Sequence, residues 1–164
     1  MSGLILDGDI QIRGNLNCNS ITLPQNAIDN SSQIKAGTNL NADKLEQRFF
    51  PAWSQPNSAA STETRTLFVA RRSGVVNEVI AGSIAKATGD AVVTLDVKKN
   101  GTTILNAVIT LDNANTNRIV ELGSITSSAF VAGDWFEVVI TATANTGTLP
   151  TGVFLQMECD QNGS

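Results

Sequence analysis

The side chains with chemistry to offer in this 164-residue chain are carboxylates, hydroxyls and two thiols, because histidine and tyrosine are both absent. Without imidazole there is no Ser-His-Asp or Cys-His arrangement and no His-containing zinc site. Serine has no plausible base, since no Ser-x-x-Lys string occurs. Asp7 and Asp9 flank a glycine in a way that suggests calcium. Gln11 and Ile12 then stand where a calcium loop needs Asp or Asn followed by Gly, so turn residues are the better reading. Gly89-Asp90 and Gly133-Asp134 each precede a strand-like run, and a Gly-Asp step suits a tight turn closed by the carboxylate. Asp90 and Asp134 have the residue type of a glycosidase pair, but nothing in the sequence puts them in one cleft. Cys18 and Cys159 match no metal or redox spacing and read as free, reduced thiols. No phosphate-cradling glycine motif is present. The chain is expected to be no enzyme and to hold no metal or cofactor.

Binding chemistry is narrowed by charge. Eleven basic against fifteen acidic residues leave a net charge of −4, and the basic residues form no stripe. Arg71-Arg72 and Lys98-Lys99 read as solvated strand ends, so no nucleic-acid partner is expected. The short apolar run Leu4-Ile5-Leu6 ends at Asp7, too brief for export or a membrane span, so no membrane association is expected. Sugar recognition would need aromatic platforms, yet aromatics make up 5% of the chain. Trp135 lies in an apolar run and is expected in the core or at a subunit contact, and Trp53 sits between prolines.

Three stretches of different character must position these residues. Residues 3–23 alternate in short segments, Ile10 and Ile12 about Gln11, Ile21 and Leu23 about Thr22, with Gly8 and Gly14 as punctuation. Strands that short need neighbours from their own chain or from copies of it. In residues 24–48 the large apolar residues Ile28, Ile34, Leu40 and Leu45 stand five or six apart. That spacing suits an arm laid across another surface, and the same composition suits a disordered linker. A helical turn is expected from Asn41 as N-cap. Residues 49–63 read as a hinge around Pro51 and Pro56, with Phe49, Phe50 and Trp53 covering the edge or base of the next domain.

From residue 64 the pattern becomes strands: 64–70, 75–84, 91–98, 102–105, 107–111, 117–123, 135–143 and 153–159. Asn100-Gly101 between two of them is a strong hairpin signal, because both residues tolerate positive φ. In the 135–143 run, Phe136, Val138 and Ile140 face one way and Trp135, Glu137 and Val139 the other. About eight strands in roughly a hundred residues predict an all-β, jelly-roll-like antiparallel β-sandwich, preceded by an extended N-terminal arm with short strands. The expected organisation is arm and connector over 1–48, hinge over 49–63 and sandwich over 64–164.

The opening GDIQIRGNL…SITLP and the connector LPQNAIDNSSQIKAGTNLNADKLEQ are similar to N-terminal segments of trimeric phage fibre and head proteins. The strings DVKKNGTTIL, ITLDNANTNRIVELGSI and FVAGDWFEVVITATANTGTLPTGVFLQM resemble the sandwich of tailed-phage capsid decoration (cement or head-fibre) proteins. That resemblance implies a homotrimer on the outer capsid surface, made in the host cytoplasm, with the major capsid protein as partner. Leu4, Leu6, Ile10, Ile12, Leu16, Ile21 and Leu23 would then bury apolar surface against capsid subunits or neighbouring arms by strand addition. Ile28, Ile34, Leu40 and Leu45 would fix the connector, and Phe49, Phe50 and Trp53 would make trimer or base contacts. The alternative is a trimeric tail-fibre or receptor-binding tip that recognises a host surface glycan.

Overall fold

The computed structural model describes residues 47–161, and the expected arm residues Leu4 to Leu45, the helical turn at Asn41 and Cys18 lie outside them. Among the described residues there is no helix. Two antiparallel sheets pack face to face. The first holds β1 (Gln47–Phe49), β2 (Ala52–Ser54), β4 (Gly74–Gly82), β8 (Val120–Leu122), β9 (Ala129–Phe130) and β11 (Phe154–Gln161). Its central pair is β11 on β4, with β1 and β2 sharing the far side of β11 and β8 and β9 sharing the far side of β4. The second sheet runs β3 (Glu63–Val69), β10 (Trp135–Thr143), β5 (Val92–Lys99), with β6 (Thr102–Thr103) and β7 (Ile109–Leu111) beyond β5. Early strands pair with late ones, β3 with β10 and β4 with β11, as in a jelly-roll-like winding.

Alternation explains the layering. Phe136, Val138 and Ile140 of β10 and Val93, Leu95 and Val97 of β5 point inward with no exposed surface. They meet Val79 and Ala81 of β4 and Leu155, Met157 and Cys159 of β11 from the facing sheet. At one end of the core, four phenylalanines join the sheets. Phe68 of β3 stacks on Phe136 at 4.6 Å between centroids and 6° between planes. Phe130 of β9 meets Phe136 edge-on at 5.6 Å, and Phe49 of β1 meets Phe68 edge-on at 5.2 Å.

The turns use the expected residues. Asn100 and Gly101 both hold positive φ, +52° and +81°, and close β5 onto β6. Gly89 and Gly133 also lie at positive φ; the aspartate after Gly133 closes its own turn, whereas the one after Gly89 ties its loop to the loop at Thr146. Asp90 accepts from the backbone and the hydroxyl of Thr146, both at 2.9 Å. Asp134 accepts from the Val131 N–H at 2.9 Å and from the Asn100 amide at 2.7 Å.

The segment expected as a hinge is part of the sandwich. Gln47–Phe49 and Ala52–Ser54 pair with the two halves of β11, so the sheet begins well before residue 64. Pro51 interrupts them yet keeps the ladder alive, because its carbonyl accepts the Met157 N–H at 2.9 Å while its missing donor faces away. Gln55 is buried, giving its amide to Ser61 and to the Glu63 carboxylate at 3.0 Å.

The edges of both sheets are short or charged. Edge strand β3 carries a bulge where it passes Phe136 and Glu137, and its Glu63 and Arg65 stand opposite the inward Ile140 and Val138, bonded to each other at 2.6 Å. The other borders are split into pieces of two or three residues, β1 with β2, β6 with β7, β8 with β9.

Candidate functional site

The expected glycosidase pair is separated by the fold. Asp90 precedes β5 at the end where Val92 faces Thr143, and Asp134 precedes β10 at the end where Lys99 faces Phe136. The intervening ladder puts them roughly 25 Å apart at about 3.3 Å per residue, whereas paired glycosidase carboxylates work within about 5–9.5 Å. Asp134 is engaged by its own turn and Asp90 by Thr146 of a neighbouring loop, and the hydrogen bonds each accepts hold it below the usual carboxylate range. Among the described residues no group of three or more His, Cys, Asp or Glu is placed to hold a metal ion. Burial, reinforced by Asp160 and Glu158, pushes the Cys159 thiol up to about 12, so this free cysteine stays protonated and inert.

The exposed surface is more informative, because the two outer sheet faces differ. Outward residues of the β3–β10–β5 sheet are mostly Thr and charged: Thr64, Thr66, Thr94, Thr141, Asp96, Lys98 and Glu137. The outer face of the β11–β4–β8 sheet is divided. Partners in an antiparallel pair share a face. Phe154, Gly82 and Val120 therefore form one outward row, and Gln156, Ile80 and Leu122 the next. Gly82 is where the ring of Phe154 lies down on the sheet: a Cβ there would meet the ring tip at 2.8 Å and the Ile119 carbonyl at 3.0 Å. Leu122 is 69% exposed, and Phe50, 54% exposed, overhangs a cavity of about 80 Å³ against Ile80 and Met157.

Strand β8 carries the sharpest sign that this half of the face is unfinished. Its alternation is inverted: Val120 and Leu122 point out, while Glu121, opposite the buried Ala81, points in and is satisfied by the Asn115 amide at 2.7 Å. An edge strand that ends in water normally turns its charge outward. Here the apolar side chains are presented and the charge is sheltered.

The other half of the same face is ionic. Arg48 makes a two-pronged contact with Asp160 at 2.9 and 3.3 Å and reaches Glu158 at 3.0 Å, and Asn77 donates to Asp160 at 2.7 Å. The Arg48 and Asn77 hydrogen bonds hold Asp160 below its ordinary range against the opposing effect of burial. Because the folded value is the lower one, this contribution is complete above about pH 4, where an unfolded aspartate is ionised. It is lost as pH falls through the folded value. Thermal unfolding followed from pH 6 downward should therefore show an Asp160→Asn variant that is less stable at neutral pH and loses less on acidification. Parallel curves for the two proteins would contradict this.

Of the residues expected to make trimer or base contacts, the structure separates the three. Phe49 packs into the aromatic cluster, Trp53 stands opposite the buried Leu155 and packs partly against the core, and Phe50 faces outward. Trp135, expected in the core or at a contact, is 50% exposed on the outer face of the second sheet. Sequence reading named Phe50 as a contact residue but missed the patch of Ile80, Val120, Leu122 and Phe154 beside it. The signal was available in the run Ile119-Val120-Glu121-Leu122, whose one charge sits at the wrong parity for a solvent-facing strand.

No family model matches the chain, and no curated protein matches it. Among solved structures, a chain in the structure of infectious bursal disease virus Gx strain is similar at TM-score 0.37 and 12% identity, covering 73% of this chain and 34% of that one. A chain in the structure of the Gt strain is similar at TM-score 0.30 and 11% identity, covering 73% and 37%. This chain thus spans about a third of the length of each.

Proposed function

We propose that the chain is a structural, non-catalytic virion protein that sits on the outside of a phage capsid as a trimer and reinforces contacts between capsid subunits. The observation that carries this reading is the outward apolar patch of Phe154, Ile80, Val120 and Leu122 on a sandwich whose carboxylates are spent on turns and ion pairs. A patch of that kind suits a subunit interface, since exposed apolar clusters beyond single residues mark contact sites. In this reading the patch joins copies of the chain, and the residues from Leu4 to Leu45 reach the major capsid protein. Binding across neighbouring subunits stabilises the assembled shell by mass action.

Leu122→Asp tests the interface. Leu122 is on the surface, so the fold should survive with an unchanged unfolding midpoint. Light scattering should report three times the 17.3 kDa chain mass for the unaltered protein and the mass of one chain for the variant. A monomeric unaltered protein, or a variant that assembles equally well, would overturn the interface. Electron microscopy of particles then locates the protein. Regular positions over the head agree with reinforcement, and density confined to a tail tip favours the receptor-binding alternative.

A further inference from the structure

At the end of the β3–β10–β5 sheet farthest from Asp90, the outer face changes character. Trp135 is the only aromatic side chain among the outward residues of β10, and it opens onto a depression of about 260 Å³ lined by Asn100, Gly101, Trp135 and Glu137. The site is rigid. The Trp135 N–H donates to the Asn100 side-chain oxygen at 2.9 Å, its carbonyl accepts the Asn100 N–H at 2.9 Å, and Asp134 holds the Asn100 amide from the other side. Gly101 keeps the approach open, because a Cβ there would have nothing within 4 Å.

Beside the ring stands Glu137, next outward along β10 and half-buried, whose carboxylate has no hydrogen-bond or ion-pair partner among the described residues. A flat apolar platform next to acceptors that are not yet used is what a sugar ring needs. One face of a pyranose carries C–H groups that sit on the negative face of an indole, and its hydroxyls donate to a carboxylate. The depression is below the usual volume of a drug-sized pocket, which suits a single ring.

Competing occupants fit less well. A protein partner would need a wider apolar area than Trp135 and its 49%-exposed neighbour Val69 supply on an otherwise threonine-rich face. A nucleobase or an acidic sugar would meet the Glu137 carboxylate in the lining itself, with Lys98 outside that lining on the neighbouring strand, on a chain of net charge −4.

We propose that Trp135, with Glu137 beside it, forms a binding site for one ring of a neutral saccharide. The site lies on the sheet opposite the Leu122 patch and does not depend on the assembly reading.

The full chain would be titrated with methyl pyranosides of glucose, galactose, mannose and N-acetylglucosamine, and with short neutral oligosaccharides, at millimolar concentrations. The expected result is a saturable heat of binding in calorimetry with at least one of them, a readout that does not depend on the tryptophan itself. Trp135→Ala should abolish that binding and Glu137→Gln should weaken it by about tenfold, the factor that corresponds to 1.4 kcal/mol, both with unchanged unfolding midpoints. Retained binding in Trp135→Ala would overturn the proposal. So would no response to any neutral sugar, a response confined to acidic sugars, or a change of oligomeric state in Trp135→Ala. The Leu122→Asp variant should bind the sugar as the unaltered chain does, so a failure here leaves the assembly test standing.

Discussion

Phe136→Ala is expected to remove a large share of the sandwich's stability while leaving it folded in the absence of denaturant. Phe136 has no exposed surface, stacks on Phe68 and is met edge-on by Phe130. Truncating a buried phenylalanine costs about 3–5 kcal/mol, and each lost ring pair adds about 0.5–1.5 kcal/mol. A domain of this kind has a total stability of about 5–15 kcal/mol, so the loss is a large share of the whole. The cluster also holds Phe49 of β1 and Phe130 of β9, border strands of three and two residues, of which β1 is tied to β11 by Arg48 as well. Denaturant unfolding should show a lower midpoint for Phe136→Ala, and hydrogen exchange should rise first in β1 and β9. A midpoint within error of the unaltered protein would mean that the cluster does not join the sheets.

Gly74→Ala is the second large effect, and it acts on the same place from the other side. Gly74 opens β4 between Gln161 of β11 and Phe130 of β9. A Cβ there would overlap the Asp160 carbonyl and meet the Phe130 ring at 2.5 and 2.8 Å. The carbonyl is held in the central ladder, so its overlap can be relieved only by a backbone shift between β4 and β11, and the overlap with the ring adds to that. Overpacking of this type costs about 1–3 kcal/mol and at times more. A coupling is expected as well. With Phe136 truncated, the Phe130 ring has space to tilt, so Gly74→Ala should cost less in the Phe136→Ala background than alone. Simple additivity of the two midpoint shifts would show that the backbone overlap, not the ring, carries the penalty.

The main strands were legible because their residues obey one rule throughout. Alternation in β5, β10 and β11 names the inward set, and Asn100-Gly101 names the turn through its positive φ. The Gly133-Asp134 step was legible as a turn closure for the same local reason, whereas Asp90 bonds to Thr146 across the fold, which no local pattern shows. What the sequence hid is tertiary. Pro51 broke the period-two pattern of Gln47–Phe49 and Ala52–Ser54, and only β11 as a template shows that its carbonyl continues the ladder. Two-residue β9 is too short to carry any pattern. For Trp135, alternation established its companions, Glu137 and Val139, but parity cannot say whether an outer face is covered. The patch around Leu122 was hidden in the opposite sense, since an apolar run reads as core until the register turns it outward.

The interrupted and charged borders have a consequence for how copies of this chain can associate. Polymers built by edge-to-edge strand addition need a long, flat strand with free backbone groups, and the described sandwich offers pieces of two or three residues and a bulged β3 lined with Glu63 and Arg65. Within the described sandwich, contact between copies is thereby left to side chains on a sheet face. A face contact of that kind fixes one orientation between copies, and where that orientation is two-fold or cyclic it closes with a finite number of subunits. A closed assembly of this sort fills up as protein concentration rises, whereas an edge-paired sheet goes on extending into a fibre.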